Sequence, residues 1–134
     1  MRKVLFRGKD IHGKWHYGDY LEESKSGKYP ALEPMHYIAK KVCRGELPEL
    51  KWIIPETRGE FTGLTDKNGT KIFEGDILKW KHSILEVVYI DDGYYARNLY
   101  EIDALGDFLE TPCAEVIGNI HDNPELLNEM EELQ

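Results

Sequence analysis

Residues 61–78 read FTGLTDKNGTKIFEGDIL, with two strand-like segments on either side of a turn. Asn68 and Gly69 both tolerate a positive φ, which a type I′ turn requires at its two central positions. The pattern therefore predicts a β-hairpin that pairs 60–64 with 71–73 about these two residues, and the length of its loop stays open. On both sides of it the chain continues to alternate short apolar segments with turn residues.

The Gly-Asp step that follows the hairpin is predicted to serve the backbone. Gly75 permits an unusual backbone angle, and the Asp76 carboxylate can accept hydrogen bonds from nearby amides. Further strands are predicted at 76–81, 84–90, 94–97 and 114–120, with Asp91, Asp92 and Gly93 as the turn between the second and the third.

The N-terminal part is also predicted to consist of short strands. They are expected at 3–7, 15–17 and 51–54, with polar turns at 8–10 and 12–14. Residues 35–42 fit either a strand or one helical turn, because periodicity does not separate the two in so short a segment.

One helix is predicted, at the C-terminus. Asn123 is a favourable N-cap, and Pro124 suits the first helical position. Acidic residues in the last turn oppose the helix dipole, so this end is expected to fray or to meet a partner. The apolar stripe of the helix consists of Leu126, Leu127, Met130 and Leu133.

The predicted fold class is mainly β, with short antiparallel strands and one C-terminal α-helix. The C-terminal half can close into a barrel-like, SH3-like form. At 134 residues the chain fits one domain. Its predicted parts are an N-terminal β subdomain at 1–59, β hairpins or a barrel at 60–121, and the helix at 123–133.

The formal net charge is −8, and the acidic excess is concentrated at the C-terminus. Residues 122–134 hold five acids and no Lys or Arg, which leaves 17 basic against 20 acidic residues elsewhere. Binding along a nucleic-acid backbone usually needs a basic face, so general DNA binding is disfavoured. A local basic patch at Lys40, Lys41 and Arg44 stays open.

The cysteines and the apolar runs predict a cytoplasmic protein with no membrane association. Cys43 and Cys113 are far apart and form no CxxC pair, which suits buried packing thiols in a reducing compartment. Charged residues interrupt the N-terminal segment, and no apolar run reaches the ~18 residues of a membrane span.

Two blocks and a short opening carry a family resemblance. The first block runs from FTGL at 61–64 through EGDI at 74–77, and the second, VIGNIHDNPELL, spans 116–127. The opening has FRGK at 6–9 and WHYG at 15–18. In this order they resemble the YopX family of phage and prophage proteins, while 24–58 is the least similar portion.

The resemblance implies a small protein encoded by phages or prophages of Gram-positive bacteria and acting in the host cytoplasm. It also implies a largely β fold and a homo-oligomer. It brings no established activity and therefore no catalytic residues.

No catalytic constellation is recognisable, and no metal or cofactor is predicted. His12 and His16 have the i,i+4 spacing of ligands on a helix, but Gly13 and the surrounding turns predict surface or half-buried histidines instead. Cys43 as a nucleophile and Asp76 as an acid are weaker candidates, because no partner base is identifiable.

Six residues form the predicted interaction surface. On an alternating strand, Tyr94 shares one face with Ala96, whereas Tyr95 shares the other with Arg97. These rings and the guanidinium can anchor a protein interface, stack on bases, or simply pack within the sheet. The predicted surface comprises Tyr94, Tyr95, Arg97, Leu126, Met130 and Leu133.

The leading hypothesis is a non-enzymatic phage accessory protein that works by association, either with copies of itself or with an unknown phage or host protein. The alternative is a nucleic-acid-associated module built on a small β-barrel. Enzymatic hydrolysis comes third, because it needs two titratable groups brought together in a pocket.

Overall fold

Strands dominate the computed structural model, which describes residues 5–23, 35–40, 45–108 and 114–132. The prediction of a mainly β fold is therefore confirmed. The chain divides into two units, Met1–Glu60 and Phe61–Gln134.

The first unit is built on one antiparallel sheet. Its strands lie in the order β4-β3-β2-β1-β5. The elements are β1 (Phe6–Lys9), β2 (Trp15–Glu23), β3 (Met35–Lys40), β4 (Glu49–Trp52), a 3-10 turn at Pro55–Thr57, and the start of β5 (Gly59–Thr65).

The prediction of a turn at 8–10 is wrong in its position. Gly8 and Lys9 belong to β1, because Lys9 still pairs with Trp15 on β2. The chain turns instead between Asp10 and Lys14, where the second turn was predicted at 12–14, and the Asp10 N–H donates to the Lys14 carbonyl at 2.9 Å. Of the two forms open for 35–42, the structure adopts the strand, over Met35–Lys40.

Close approach between β2 and β3 depends on a glycine. A Cβ atom at Gly18 would lie 2.2 Å from the carbonyl oxygen of Ala39, a backbone atom that cannot rotate away. The absence of a side chain therefore sets the distance between these two strands.

The second unit contains the remainder of β5 and a five-stranded antiparallel sheet in the order β10-β9-β8-β7-β11. Its further elements are β6 (Lys71–Phe73), β7 (Asp76–Trp80), β8 (Ser83–Ile90), β9 (Gly93–Arg97), β10 (Ile102–Ala104), α1 (Leu105–Phe108), β11 (Glu115–Asn119) and α2 (Glu125–Glu132).

The five-stranded sheet is open rather than a closed barrel. Its outer strands, β10 and β11, lie at opposite ends of the strand order and do not pair with each other in the described residues. β11 pairs with β7, at the end of the sheet opposite β10. The SH3-like form of this half stays a prediction.

Apolar side chains are buried on both faces of the five-stranded sheet. One core contains Leu78, Leu85 and Val87. On the other side, Ile77 and Ile84 pack against α2 and its neighbourhood. The helix thus supplies the cover that the second face of the sheet needs.

The hairpin of β5 and β6 forms as predicted, but its turn is of another type. Gly69 has a φ of +81°, whereas Asn68 is not among the residues with positive φ. The Asp66 carboxylate accepts the N–H of Asn68 at 2.8 Å and of Thr70 at 2.9 Å. These bonds favour a longer loop that needs only one glycine-like position.

Two consecutive positive φ values occur instead between β8 and β9. Asp91 has a φ of +47° and Asp92 a φ of +64°, and Ile90 pairs directly with Gly93. This is the geometry of a two-residue type I′ hairpin. The predicted turn at 91–93 is therefore confirmed.

Candidate interaction surface

The first unit exposes apolar side chains on one face of its sheet. Residues directly opposite one another on antiparallel strands share a face, and Leu21, Tyr37 and Trp52 form such a row across β2, β3 and β4. Leu50 precedes Trp52 by two residues and Tyr17 precedes Leu21 by four, so both lie on the same side. We call Tyr17, Leu21, Tyr37, Leu50 and Trp52 the aromatic face.

The aromatic face is accessible at most of its positions. Trp52 is 63% exposed, Tyr17 49%, Leu50 46% and Leu21 45%. Tyr37 is half-buried and meets Trp52 edge-on, with ring centroids 6.0 Å apart. Several exposed apolar side chains on one face of a sheet are typical of an interaction site.

The Tyr37 hydroxyl is held at the rim of the aromatic face. It donates a hydrogen bond to Oε2 of Glu23, 3.0 Å away. Loss of hydration raises the pKa of Tyr37, and the bond to the Glu23 carboxylate raises it further. The phenol is therefore protonated at neutral pH, and its hydrogen bond helps to fix the ring in the row.

The opposite face of the same sheet carries the core of the first unit. Ile38 and Ile53 are buried, and the rings of Phe6 and Tyr20 lie 5.6 Å apart. Polar and apolar residues alternate only partly along β2 to β4, because the exposed face also carries apolar side chains.

The outer edge of β4 carries backbone groups that point away from the sheet. The N–H of Ile53 donates to the carbonyl of His36 on β3 at 3.1 Å. Backbone groups of successive strand residues alternate in direction, so Lys51 also faces β3, whereas Leu50 and Trp52 face outward. In the part of the chain that the structure describes, no strand pairs with this edge.

Asp10 and His16 form a close side-chain pair in the first unit. His16 is 2% exposed, which contradicts the prediction of a surface or half-buried histidine. Its Nε2 lies 2.8 Å from Oδ2 of Asp10. The other oxygen of Asp10 accepts the N–H groups of His12 and Lys14, each at 2.9 Å.

This pair closes the β1–β2 loop. The hydrogen bond from His16 and the backbone bond from Lys14 hold the pKa of Asp10 well below its usual range. The hydrogen bonds described for Asp10 all stay within 10–16, which is the arrangement of a structural clamp. The exposed His12, predicted as a surface residue, takes part only through its backbone.

The predicted tyrosines lie in the second unit, on β9. Tyr94 is opposite Tyr89, with ring centroids 5.0 Å apart, and packs against the core that contains Leu78. Tyr95 and the exposed Arg97 lie on the other face, as strand alternation predicts.

The helical part of the predicted surface is described only in part. Leu126 is half-buried and packs against Ile77 and Ile84. The side chain of Met130 and the whole of Leu133 lie outside the described residues, as do Cys43 and Cys113. A role of the six predicted residues in binding stays a prediction.

Acidic residues of the first sequence block bind backbone amides. Besides its two bonds in the hairpin turn, Asp66 accepts the N–H of Val116 at 2.9 Å. Burial alone would raise the pKa of Asp66, but these three donors outweigh that effect and lower it. Asp76 accepts the N–H of Phe73 at 2.8 Å, and Gly75 has a φ of +93°, as predicted for both.

The second block also consists of turn-forming bonds. Oδ1 of Asn119 accepts the N–H groups of His121 and Asp122 at 3.0 and 2.9 Å. Asn123 was expected to cap the helix, but its Oδ1 accepts the N–H of Asn119 at 3.3 Å. Both blocks therefore specify backbone conformation in the second unit.

Sequence reasoning missed the aromatic face, although a signal was present. Leu50 and Trp52 alternate with the charged Glu49 and Lys51, which is the pattern of a strand with one apolar side. The segment is only four residues long and follows Pro48. Which face of a sheet its apolar side chains occupy could therefore not be assigned without its neighbour β3.

One comparison with known proteins identifies a family. A family model described as YopX protein matches residues 5–128. The chain is also similar to the crystal structure of protein EF1440 from Enterococcus faecalis, with 27% identity and a TM-score of 0.53. That match covers 93% of this chain and 98% of the other. No match is found among curated proteins.

Two further properties concern the described residues. Neither of their helices has both the length and the apolar character needed to cross a membrane. In the same ranges, no three His, Cys, Asp or Glu side chains are grouped so that they could hold a metal ion.

Proposed function

The chain belongs to the YopX family, and we propose that it is a non-enzymatic accessory protein of a phage or prophage that acts in the host cytoplasm by associating with itself. The observation that carries this proposal is the aromatic face. Trp and Tyr are enriched at protein interfaces, where a few such side chains provide most of the binding energy.

The charge around the aromatic face favours a protein partner. Asp19 and Glu23 are exposed and project from the same side of β2 as Tyr17. Arg7 is also on this side, but it is buried, with its guanidinium 4.7 Å from the centre of the Trp15 ring. Exposed carboxylates beside apolar rings suit a protein surface better than a phosphate backbone.

Self-association is compatible with the distribution of charge along the chain. Residues 1–60 contain 12 basic and 9 acidic residues, whereas 61–134 contain 5 basic and 16 acidic ones. The acidic excess thus lies in the second unit, and the aromatic face belongs to the unit that does not carry this excess.

Sedimentation velocity over a range of protein concentrations tests this function. The key variant is Trp52→Ser, and its control is Tyr100→Ser, which removes a ring of similar exposure, 66% against 63%, from the second unit. We expect the wild type to self-associate and Trp52→Ser to raise the dissociation constant about tenfold or more. The control is expected to behave like the wild type.

Two results would contradict the proposal. One is a wild-type chain that stays monomeric at every concentration. The other is an equal effect of Trp52→Ser and Tyr100→Ser, since that would mean that exposed rings in general, and not the aromatic face, determine association.

Nucleic-acid binding is the second candidate function, and the basic excess of residues 1–60 favours it. Exposed rings of Tyr17 and Trp52 offer stacking surfaces for single-stranded bases. Labelled single- and double-stranded oligonucleotides at ~50 mM salt test it, because phosphate attraction is strong there. Binding that is lost in Trp52→Ser and kept in Tyr100→Ser would favour this function.

A further inference from the structure

We propose that the outer edge of β4 pairs with β4 of a second copy of the chain. The two strands run antiparallel about a two-fold axis, and Leu50 lies opposite the partner's Leu50. This inference rests on the proposed function, because it specifies the partner and the contact through which the aromatic face associates.

The backbone of β4 is oriented for such pairing. Leu50 and Trp52 direct their N–H and C=O groups to the outer edge, since Ile53 bonds to His36 on the inner side. With Leu50 opposite the partner's Leu50, these two residues exchange hydrogen bonds in both directions. The Trp52 N–H then meets the carbonyl oxygen of the partner's Pro48.

β4 is a short regular strand without an internal proline or a bulge, two of the features that block edge pairing. It has no proline within Glu49–Trp52, and its pairing with β3 shows no shift in register. In contrast, the edge strand β11 of the second unit has a register shift between Val116 and Gly118. Bulges of that kind protect sheet edges from pairing with other chains.

Charge selects one register. Lys51 and Glu49 lie on one side of β4, with Nζ and Oε1 2.6 Å apart, and Lys40 is opposite Glu49 on β3. In the proposed register Glu49 faces the partner's Lys51, and Lys51 faces the partner's Glu49. Opposite charges in such cross-strand positions are stabilising.

The competing registers are less favourable. A shift by two residues places Lys51 opposite the partner's Lys51, and like charges directly opposite each other are destabilising. A shift by one residue places the apolar face of one copy beside the charged face of the other.

Pairing in the proposed register also covers part of the aromatic face. Leu50 contacts the partner's Leu50 directly, and Trp52 reaches it diagonally, because such neighbours lie within reach of aromatic side chains. The row through Leu21, Tyr37 and Trp52 then ends opposite the partner's Pro48, and the aromatic faces of the two copies lie on the same side of one continuous sheet.

Charge reversal on β4 tests the register. Glu49→Lys and Lys51→Glu each replace attraction by repulsion at two symmetry-related positions, and we expect each to raise the dissociation constant about tenfold. The double variant exchanges the two charges and is expected to restore the wild-type constant. Failure of the double variant to recover, or wild-type association of both single variants, would overturn the register.

A proline at position 50 tests the use of the edge itself. Leu50→Pro removes an N–H that points outward and leaves the hydrogen bonds to β3 in place, so the fold is expected to persist by circular dichroism. Its control, Leu50→Ala, shortens the side chain but keeps the N–H. We expect Leu50→Pro to abolish association and Leu50→Ala to weaken it.

The outcomes separate this inference from the proposed function. If the wild type associates and Trp52→Ser weakens it, but Leu50→Pro associates normally, edge pairing is overturned and association through the aromatic face stands. If the wild type is monomeric throughout, both are overturned.

Discussion

The two units differ in how they cover their sheets. In the second unit both faces are covered, one by the core around Leu78 and Leu85 and the other by α2 over Ile77 and Ile84. In the first unit one face is buried and the other exposes Trp52 and its neighbours. The same alternating strand pattern thus produces a sheet covered on both faces in one unit and an accessible apolar surface in the other.

The two sequence blocks of the family resemblance and the aromatic face lie in different units. The two blocks that match the YopX pattern lie in the second unit, where Asp66, Asp76 and Asn119 bind backbone amides. The aromatic face draws three of its residues, Tyr37, Leu50 and Trp52, from outside these blocks, whereas Tyr17 lies in the opening at 15–18. The family model matches residues 5–128 and thus spans both units, while the hydrogen bonds of the two blocks stabilise the scaffold of the second unit.

The largest expected effect is on the covered core. Leu78→Ala removes a fully buried side chain from the second unit and is expected to lower the free energy of unfolding by about 3 kcal/mol. Urea denaturation measures this loss. A loss below about 1 kcal/mol would mean that the core around Leu78 is loosely packed, and the contrast between the units would be weakened.

A smaller loss of stability is expected when the carboxylate of Asp66 is replaced. Asp66→Asn keeps the shape but replaces an acceptor that holds three backbone N–H groups, and we expect the free energy of unfolding to fall by about 2 kcal/mol. Asp103→Asn, on the exposed strand β10, serves as the control and is expected to change stability by less than about 0.5 kcal/mol.

The stabilising effect of the Asp66 carboxylate is expected to decrease at low pH. The pKa of Asp66 in the folded chain lies below its ordinary value of 3.8, so the folded state binds fewer protons than the unfolded state in that range. Its stabilising contribution is complete above that value and is lost as the pH falls through the folded pKa. Urea midpoints from pH 7 to pH 3 should show the gap between wild type and Asp66→Asn narrowing with acid. A constant gap would contradict a lowered pKa.

The smallest effect on stability is expected at the aromatic face. Trp52→Ser, measured by urea denaturation at a concentration where the wild type is monomeric, is expected to change the free energy of unfolding by less than about 0.5 kcal/mol. Together with weakened association, this would sharpen the contrast with Leu78→Ala. A loss above about 1.5 kcal/mol would show that Trp52 is part of the core.

Local chemistry allowed several features to be predicted. The turn at 91–93, the backbone role of Gly75, and the Asp76 hydrogen bond all depend on residues within a few positions of one another. The alternation of Tyr94 and Tyr95 likewise follows from strand geometry alone.

The wrong predictions share a dependence on distant or competing partners. The turn at Asn68 is a longer loop rather than a two-residue turn, because the side chain of Asp66 accepts the hydrogen bond of the Asn68 N–H. His16 is buried because Asp10 folds back onto it, and Asn123 bonds to the strand before the helix instead of capping the helix.

By itself, the sequence determined the β class, the hairpins, the C-terminal helix and the family, since each depends on residue types at short spacing. Only the tertiary structure decided that the second sheet is open and that Leu21, Tyr37 and Trp52 form a row. The reason is that register and the covering of a face arise from pairing between strands far apart in the chain. The periodicity of one strand shows which of its side chains share a face, but not which residues of another strand lie next to them.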